Sequence, residues 1–98
     1  MIRRRYLVAY DIREDTRLRQ VHVVCRSWGD PLQYSVFVCD LSRGEKARMM
    51  GDLLAQMNAN VDSVVFVDLG ESRGRGADCF EFLGLRPWDL PTGSATVV

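Results

Sequence analysis

The segment Tyr6–Ile12, which runs Tyr-Leu-Val-Ala-Tyr-Asp-Ile, decides the fold of this 98-residue chain. A short apolar run that is rich in aromatic and branched residues is typical of a buried strand rather than a helix. Asp is disfavoured inside strands, so Asp11 is expected at the end of this strand, facing water or a cation. If the protein has a chemical centre, the sequence predicts that it lies at Asp11.

The composition is that of one soluble globular domain, with 47% hydrophobic and 27% charged residues. No apolar run approaches the roughly 18 residues of a membrane span, so we expect no membrane partner and a cytoplasmic location. Net charge is zero, which excludes a strong overall field for polyanions. Lys46 is the only lysine beside twelve arginines. Arginine suits phosphate recognition, although a GC-rich genome would give the same bias.

The first strand is followed by an amphipathic helix that begins with acidic residues, which complement the helix dipole. Gly29 and Pro31 end this helix. Its apolar stripe has the three- and four-residue spacing of one helix face and consists of Leu18, Val21, Cys25 and Trp28. The three cysteines of the chain show no Cys-x-x-Cys spacing, so they are expected to be reduced and largely buried.

A second strand region covers Gln33–Leu41 and contains no Gly, Pro or Asn. A tight hairpin inside it is therefore not expected, and one bent strand could serve as two. Ser42 and Glu45 form a capping box that starts a second helix. The apolar stripe of this helix is predicted to be Ala47, Met50, Leu54 and Met57, and the helix is predicted to end near residues 58–60.

A third strand region covers Asp62–Leu69, and a glycine-rich loop follows at 70–76. Residues 79–83 alternate weakly, as a short terminal strand would. The domain is therefore assigned to residues 1–83. Residues 84–98 are assigned to a tail that docks a partner or is disordered.

The order strand, helix, strand (doubled), helix, strand predicts an α+β, ferredoxin-like β-α-β-β-α-β domain with an extra short C-terminal strand. The first and third strands carry apolar residues on both faces, whereas two helices cover only one face of such a sheet. A homodimer stacked sheet to sheet would cover the second face.

Three motifs in this chain resemble the small CRISPR-associated protein Cas2 family: Tyr6–Ile12 followed by a charged helix, the run Gln33–Phe37 (Gln-Tyr-Ser-Val-Phe), and Asp62–Val64. The resemblance spans about residues 4–69. It implies a ferredoxin-like homodimer that acts in spacer acquisition for antiviral defence. The implied partners are the Cas1 integrase, double-stranded prespacer DNA and single-stranded RNA.

The resemblance also implies a metal-dependent endonuclease, in which the Asp11 side chains of both subunits approach a Mg²⁺ or Mn²⁺ ion. Asp11 is then both the catalytic and the metal-binding residue, and Tyr10, Ser35 and Phe37 map onto supporting positions. The resemblance also implies a role as an adaptor, and an adaptor without catalytic activity is the alternative to the nuclease. RNA or DNA preference, the second metal ligand and a general base stay open.

The residues themselves support part of this scheme. Mg²⁺ needs only one or two carboxylates because it keeps several waters. Two other acids end strands, Asp40 and Asp68. Either could be a second metal ligand, but both are expected to be solvated. Without the resemblance, Asp11 would be taken as a strand-end residue that caps the next turn.

Basic residues predict a surface that would bind a phosphate backbone in a salt-dependent, sequence-independent way. The alternatives are an ordinary solvated helix face, and a ferredoxin-like ligand-binding or regulatory dimer unrelated to nucleic acid. The candidate nucleic-acid-binding residues are Arg17, Arg19, His22, Arg26, Arg73 and Arg75.

Overall fold

The computed structural model describes residues 2–85 and the pair Thr96–Val97, and the elements below are those of the described residues. In chain order they are β1 (Arg4–Asp11), α1 (Asp15–Trp28), β2 (Asp30–Gln33), β3 (Val36–Leu41), α2 (Arg43–Gln56), β4 (Ser63–Glu71), α3 (Arg75–Asp78), β5 (Glu81–Phe82) and β6 (Thr96–Val97).

Strands β1 to β4 form one antiparallel sheet in the order β2-β3-β1-β4. The predicted α+β, ferredoxin-like fold is confirmed by this topology. β1 is a central strand that pairs with β3 on one side and β4 on the other. The strand that was singled out in the sequence therefore holds the sheet together.

The core lies between the sheet and the two long helices. β1 contributes Tyr6, Val8 and Tyr10, which are buried on its inner face. Val21 and Cys25 of α1 are buried as predicted.

The predicted stripe of α2 is wrong in register. Met49 and Leu53 are the buried residues of this helix, whereas Met50 and Leu54 are exposed. The apolar residues of α2 occur in adjacent pairs, so spacing alone could not tell which member faces the core. The helix ends at Gln56, slightly before the predicted end.

The outer face of the sheet is only partly covered. On this face the register places Leu7 of β1 between Val38 of β3 and Val67 of β4. Val65 and Val67 are 49% and 42% exposed. α3 covers one end, where Gly76 packs against Arg5. An exposed apolar surface thus remains, and the homodimer stays a prediction.

Residues 30–41 form a hairpin whose turn falls inside the strand region predicted at 33–41, contrary to the prediction. β2 and β3 are joined by the turn Tyr34–Ser35. No described residue other than glycine has a positive φ, so the turn does not use the primed conformations that require Gly or Asn. A register shift between Pro31 and Gln33 accompanies it, and Pro31 lies on an edge strand, where a missing N–H is tolerated.

Both helix starts follow the sequence signals. Glu14 is the N-cap of α1, and its carboxylate accepts hydrogen bonds from the N–H groups of Thr16 and Arg17, both at 2.9 Å. The predicted capping box of α2 is confirmed, because Ser42 and Glu45 bond reciprocally.

The region after β4 differs from the prediction. β4 continues to Glu71 instead of ending at Leu69, and α3 occupies part of the predicted loop. β5 pairs with β6 in a separate, parallel two-stranded sheet. Residues 86–95 of the predicted tail lie outside the described part of the chain, so the domain boundary at residue 83 is untested. None of the described helices is long and apolar enough to cross a membrane.

Candidate nucleic-acid and metal site

Asp11 is the last residue of β1 and lies on the outer face of the sheet, on the same side as Leu7 and Ala9. Its side chain is 68% exposed, and its Oδ2 atom lies 3.4 Å from Nη2 of Arg13. In the sheet it pairs with Ser63 of β4. An accessible carboxylate thus stands at the edge of an exposed apolar surface.

Asp40 and Asp68 are both engaged by arginines. Asp40 accepts two hydrogen bonds from Arg5, at 2.8 and 2.9 Å, and a third from Ser72. Burial raises the pKa of Asp40, but the hydrogen bonds from Arg5 and Ser72 outweigh it, so the pKa is lowered. The expectation that Asp40 is solvated is therefore wrong.

Asp68 is more exposed, and it accepts hydrogen bonds from Arg4 Nε and from the N–H of Gly70, both at 2.8 Å. Within residues 2–85, no group of three or more His, Cys, Asp or Glu side chains is arranged to hold a metal ion. Within these residues, a metal at Asp11 would therefore not be held by a cluster of three such side chains from one chain.

Asp62 belongs to the motif Asp62–Val64, but no sequence signal pointed to its role as a buried ion-pair partner. Its carboxylate is completely buried and pairs with Arg17. The hydrogen bonds from Arg17, together with those from the N–H groups of Arg13 and Asn58, hold the pKa of Asp62 well below its usual range. Arg17, a predicted nucleic-acid contact, is therefore engaged in a structural ion pair.

Tyr10 and Phe37 lie in the core, with stacked rings whose centroids are 6.3 Å apart. The Tyr10 hydroxyl is 2.9 Å from Nδ1 of His22, and burial raises the pKa of Tyr10 to about 12. His22 packs edge-on against Phe37. Ser35 is half-buried, and its carbonyl accepts a hydrogen bond from the N–H of Tyr10 at 3.1 Å.

Two of the predicted basic residues, Arg19 and Arg73, line cavities at opposite ends of β1. Arg19 and Arg26 are exposed on α1, and Arg19 lines the same cavity as Tyr10 and His22, at the C-terminal end of β1. Arg73 and Arg75 are also exposed. Arg73 lines a cavity with Arg3 and Arg5, at the N-terminal end of β1.

The sheet order, the two helices on one face and the exposed carboxylate that ends the first strand define a ferredoxin-like domain with a candidate site at the edge of its open face. A family model described as CRISPR associated protein Cas2 matches residues 4–75. The chain therefore belongs to the Cas2 family.

Relatives and solved structures agree with this assignment. The chain is 38% identical over 65 residues to a protein of Rhodospirillum rubrum named "CRISPR-associated endoribonuclease Cas2 1", a match that covers 66% of this chain and 64% of that protein, just under two thirds of its length. A Synechocystis protein named "CRISPR-associated endoribonuclease Cas2 3" is 30% identical over 92 residues, which cover 94% of this chain and 97% of the relative. The crystal structure of Streptococcus pyogenes Cas2 matches with a TM-score of 0.62 and 32% identity, over 67% of this chain and 86% of that one.

Proposed function

We propose that this protein is a CRISPR spacer-acquisition protein: a dimeric adaptor that binds nucleic acid together with the Cas1 integrase and also cleaves phosphodiester bonds as a metal-dependent endonuclease. The observation that carries the proposal is the exposed Asp11 carboxylate at the end of β1, in a chain of the Cas2 family. Relatives that are named endoribonucleases support the chemistry. Family membership argues against an unrelated ligand-binding dimer.

The outer sheet face supports the dimer. Val65 and Val67 are exposed there, and stacking two such faces would remove their apolar surface from water. A two-fold axis near Asp11 would bring the two carboxylates together, because an isologous interface presents the same residues from both subunits. The site would then be complete only in the dimer.

The donor chemistry at this position fits Mg²⁺ or Mn²⁺. Two Asp11 carboxylates, one from each subunit, would hold the ion, with water as the remaining ligands. When bound, such an ion activates water and neutralises charge on a phosphoryl group. The exposure of Asp11 leaves room for a polynucleotide to approach, and no described side chain encloses the carboxylate.

The surface of α1 supports nucleic-acid binding. Arg19 and Arg26 are exposed, and no carboxylate lies within ion-pair distance of either among the described residues. In a dimer these charges are doubled. Contacts of this type bind phosphates of RNA or DNA without reading sequence.

A cleavage assay tests the catalytic part of the proposal. Wild-type protein, Asp11→Ala and the control Asp15→Ala are purified identically and incubated with single-stranded RNA and duplex DNA, in Mg²⁺, Mn²⁺ or chelator. We expect wild type and Asp15→Ala to cleave in a metal-dependent way and Asp11→Ala to fall to background, with its oligomeric state unchanged. Equal cleavage by all three proteins would identify a contaminant and remove Asp11 from the mechanism.

A second candidate function is an adaptor that does not cleave. The observation that favours it is the approach of Arg13 to 3.4 Å from Asp11, because a guanidinium there competes with a metal ion for the carboxylate. In that case no preparation cleaves, while Asp11→Ala still binds duplex DNA and the Cas1 integrase. A pull-down with Cas1 on prespacer DNA measures this.

A further inference from the structure

Tyr34 is the most exposed aromatic side chain among the described residues, with 82% of its surface accessible. It stands in the Tyr34–Ser35 turn between β2 and β3. The backbone around it is held by the hairpin ladder and by the hydrogen bond from Tyr10 N–H to the Ser35 carbonyl. A hydrogen-bonded turn thus presents an aromatic ring to solvent.

A cavity of about 320 Å³ adjoins this ring. Its walls are largely apolar, with one cation and one imidazole among them, and it is lined by Tyr10, Leu18, Arg19, His22, Val23 and Tyr34. Its volume lies in the range of sites for small ligands or ligand fragments. An aromatic and aliphatic surface beside a cation matches the two parts of a nucleotide, which are a flat base and a charged phosphate.

Two polar side chains of the cavity, Arg19 and His22, have donor or acceptor atoms that are available to a ligand. The hydrogen bond that Arg19 donates within the described chain goes to the Thr16 hydroxyl at 3.5 Å, which leaves most of its guanidinium available. His22 uses Nδ1 toward Tyr10, so Nε2 is available to a ligand.

We propose that Tyr34 is a stacking platform for one unpaired nucleobase, with Arg19 contacting the adjoining phosphate. The inference rests on the proposed nucleic-acid binding and specifies its substrate class as single-stranded or frayed strands. Every base has a π-face, so such a contact tolerates any sequence. An apolar protein segment would cover Tyr34 but would leave the Arg19 charge uncompensated.

The turn is tied to the candidate site along the chain. Ser35 bonds to Tyr10, and Asp11 is the next residue of β1. A nucleic-acid strand with one base stacked on Tyr34 would therefore be held at the end of the sheet that carries Asp11. Stacking would favour substrates with an unpaired nucleotide at this end.

Fluorescence anisotropy tests the proposal with the full-length protein and labelled probes made in DNA and in RNA. One probe is a blunt duplex, and the other is the same duplex with a short single-stranded extension. We expect wild type to bind the extended probe more tightly. Tyr34→Ala should weaken that binding roughly five- to a hundredfold, the range for loss of one base–aromatic stack, and should leave blunt-duplex binding unchanged. Tyr34→Phe should retain the preference, and Tyr34→Leu should lose most of it.

The outcomes separate this inference from the proposed function. If wild type binds neither probe, the nucleic-acid function fails and the stacking site with it. If blunt-duplex binding is intact but Tyr34→Ala binds the extended probe as well as wild type, the stacking site alone is overturned. Equal weakening on both probes, or dissociation of the dimer in size-exclusion chromatography, would give Tyr34 a structural role and also overturn it. Comparison of the affinities for the DNA and RNA probes shows which nucleic acid is preferred.

Discussion

The buried carboxylate of Asp62 accepts hydrogen bonds from Nε and Nη2 of Arg17, at 2.8 and 3.3 Å. The same carboxylate accepts bonds from the N–H of Arg13, which precedes α1, and from the N–H of Asn58, which follows α2. One side chain thus fastens the loop after β1, the first turn of α1 and the loop before β4. This junction lies directly beside the strand end that carries Asp11.

Asp62→Ala should strongly destabilise the protein, because it leaves the Arg17 charge and two N–H groups without their partner. We expect a fall in Tm on the order of 10 °C at neutral pH, since a small domain loses several degrees per kcal/mol. The control Asp15→Ala removes an exposed acid and should change Tm little. Circular dichroism melts measure both, and an unchanged Tm for Asp62→Ala would contradict the structural role.

The same junction predicts a pH dependence. The folded-state pKa of Asp62 lies below its ordinary value of 3.8, so its stabilisation is complete above that pH and is lost as the pH falls toward the folded-state pKa. Hydrogen bonds from Arg3 and Ser42 lower the pKa of Glu45 to about 2. Protonation of Glu45 therefore destabilises wild type and Asp62→Ala alike in acid. The Tm difference between wild type and Asp62→Ala should therefore narrow only in acid below the ordinary pKa; a difference that is constant with pH would contradict this.

Two glycine substitutions should act in opposite directions. A Cβ at Gly29 would lie 2.4 Å from the Val38 carbonyl oxygen and 2.5 Å from Sγ of Cys39, so Gly29→Ala should lower Tm. Gly51 lies inside α2 with nothing within 4 Å of an added Cβ, so Gly51→Ala should stabilise by about 0.8–1 kcal/mol. Thermal melts of the two variants measure the changes in Tm. Equal changes in Tm would contradict the close packing at Gly29.

Charges on the outer sheet face should prevent dimerisation. We expect Val65→Lys with Val67→Lys to give a folded monomer, because two lysines per subunit would be buried against each other. Val23→Lys, on an exposed face of α1, is the matched control and should remain dimeric. Light scattering after size exclusion measures the mass, and a dimeric double variant would show that the interface lies elsewhere.

Charge reversal on α1 should weaken nucleic-acid binding. For Arg19→Glu with Arg26→Glu, we expect lower duplex affinity and a log–log salt slope smaller by about 2 per chain, since each lost phosphate contact removes about 0.9. Arg43→Glu changes charge by the same amount per site at the start of α2 and should have less effect. Unchanged affinity at low salt would eliminate this face as the binding surface.

The sequence predicted those parts of the fold that depend on local signals. The first strand, which ends at Asp11, the capping box at Ser42 and the stripe of α1 each follow from short-range physics and are present in the structure. The prediction of the α2 stripe was wrong because Met49–Met50 and Leu53–Leu54 offer two equivalent apolar faces, and only tertiary packing chooses between them. The prediction that no tight hairpin would form here was wrong because the turn contains no glycine and is accompanied by a register shift in β2.

The candidate site was less accessible to sequence reasoning. Asp11 could be singled out because it is an acid that directly follows an apolar run and ends the strand. The partners of Asp62 and Asp40 lie 45 and 35 positions away in the chain, so their ion pairs depend on the complete topology. Tyr34 lies in the motif Gln33–Phe37, but its role as an exposed ring had no sequence signal, because exposure is a property of the folded surface.

The position of β1 also has a consequence for how the chain folds. β1 comes first in the sequence, yet both of its neighbours, β3 and β4, are made later, and β4 ends only at Glu71. During synthesis at the ribosome, this apolar strand must wait for most of the domain before its second edge is paired. The slowest step in folding should therefore be the docking of β4, since long-range pairings carry the largest loop-closure cost. Until β4 docks, the unpaired edge of β1 is the part of the chain that should aggregate most readily and that chaperones should bind.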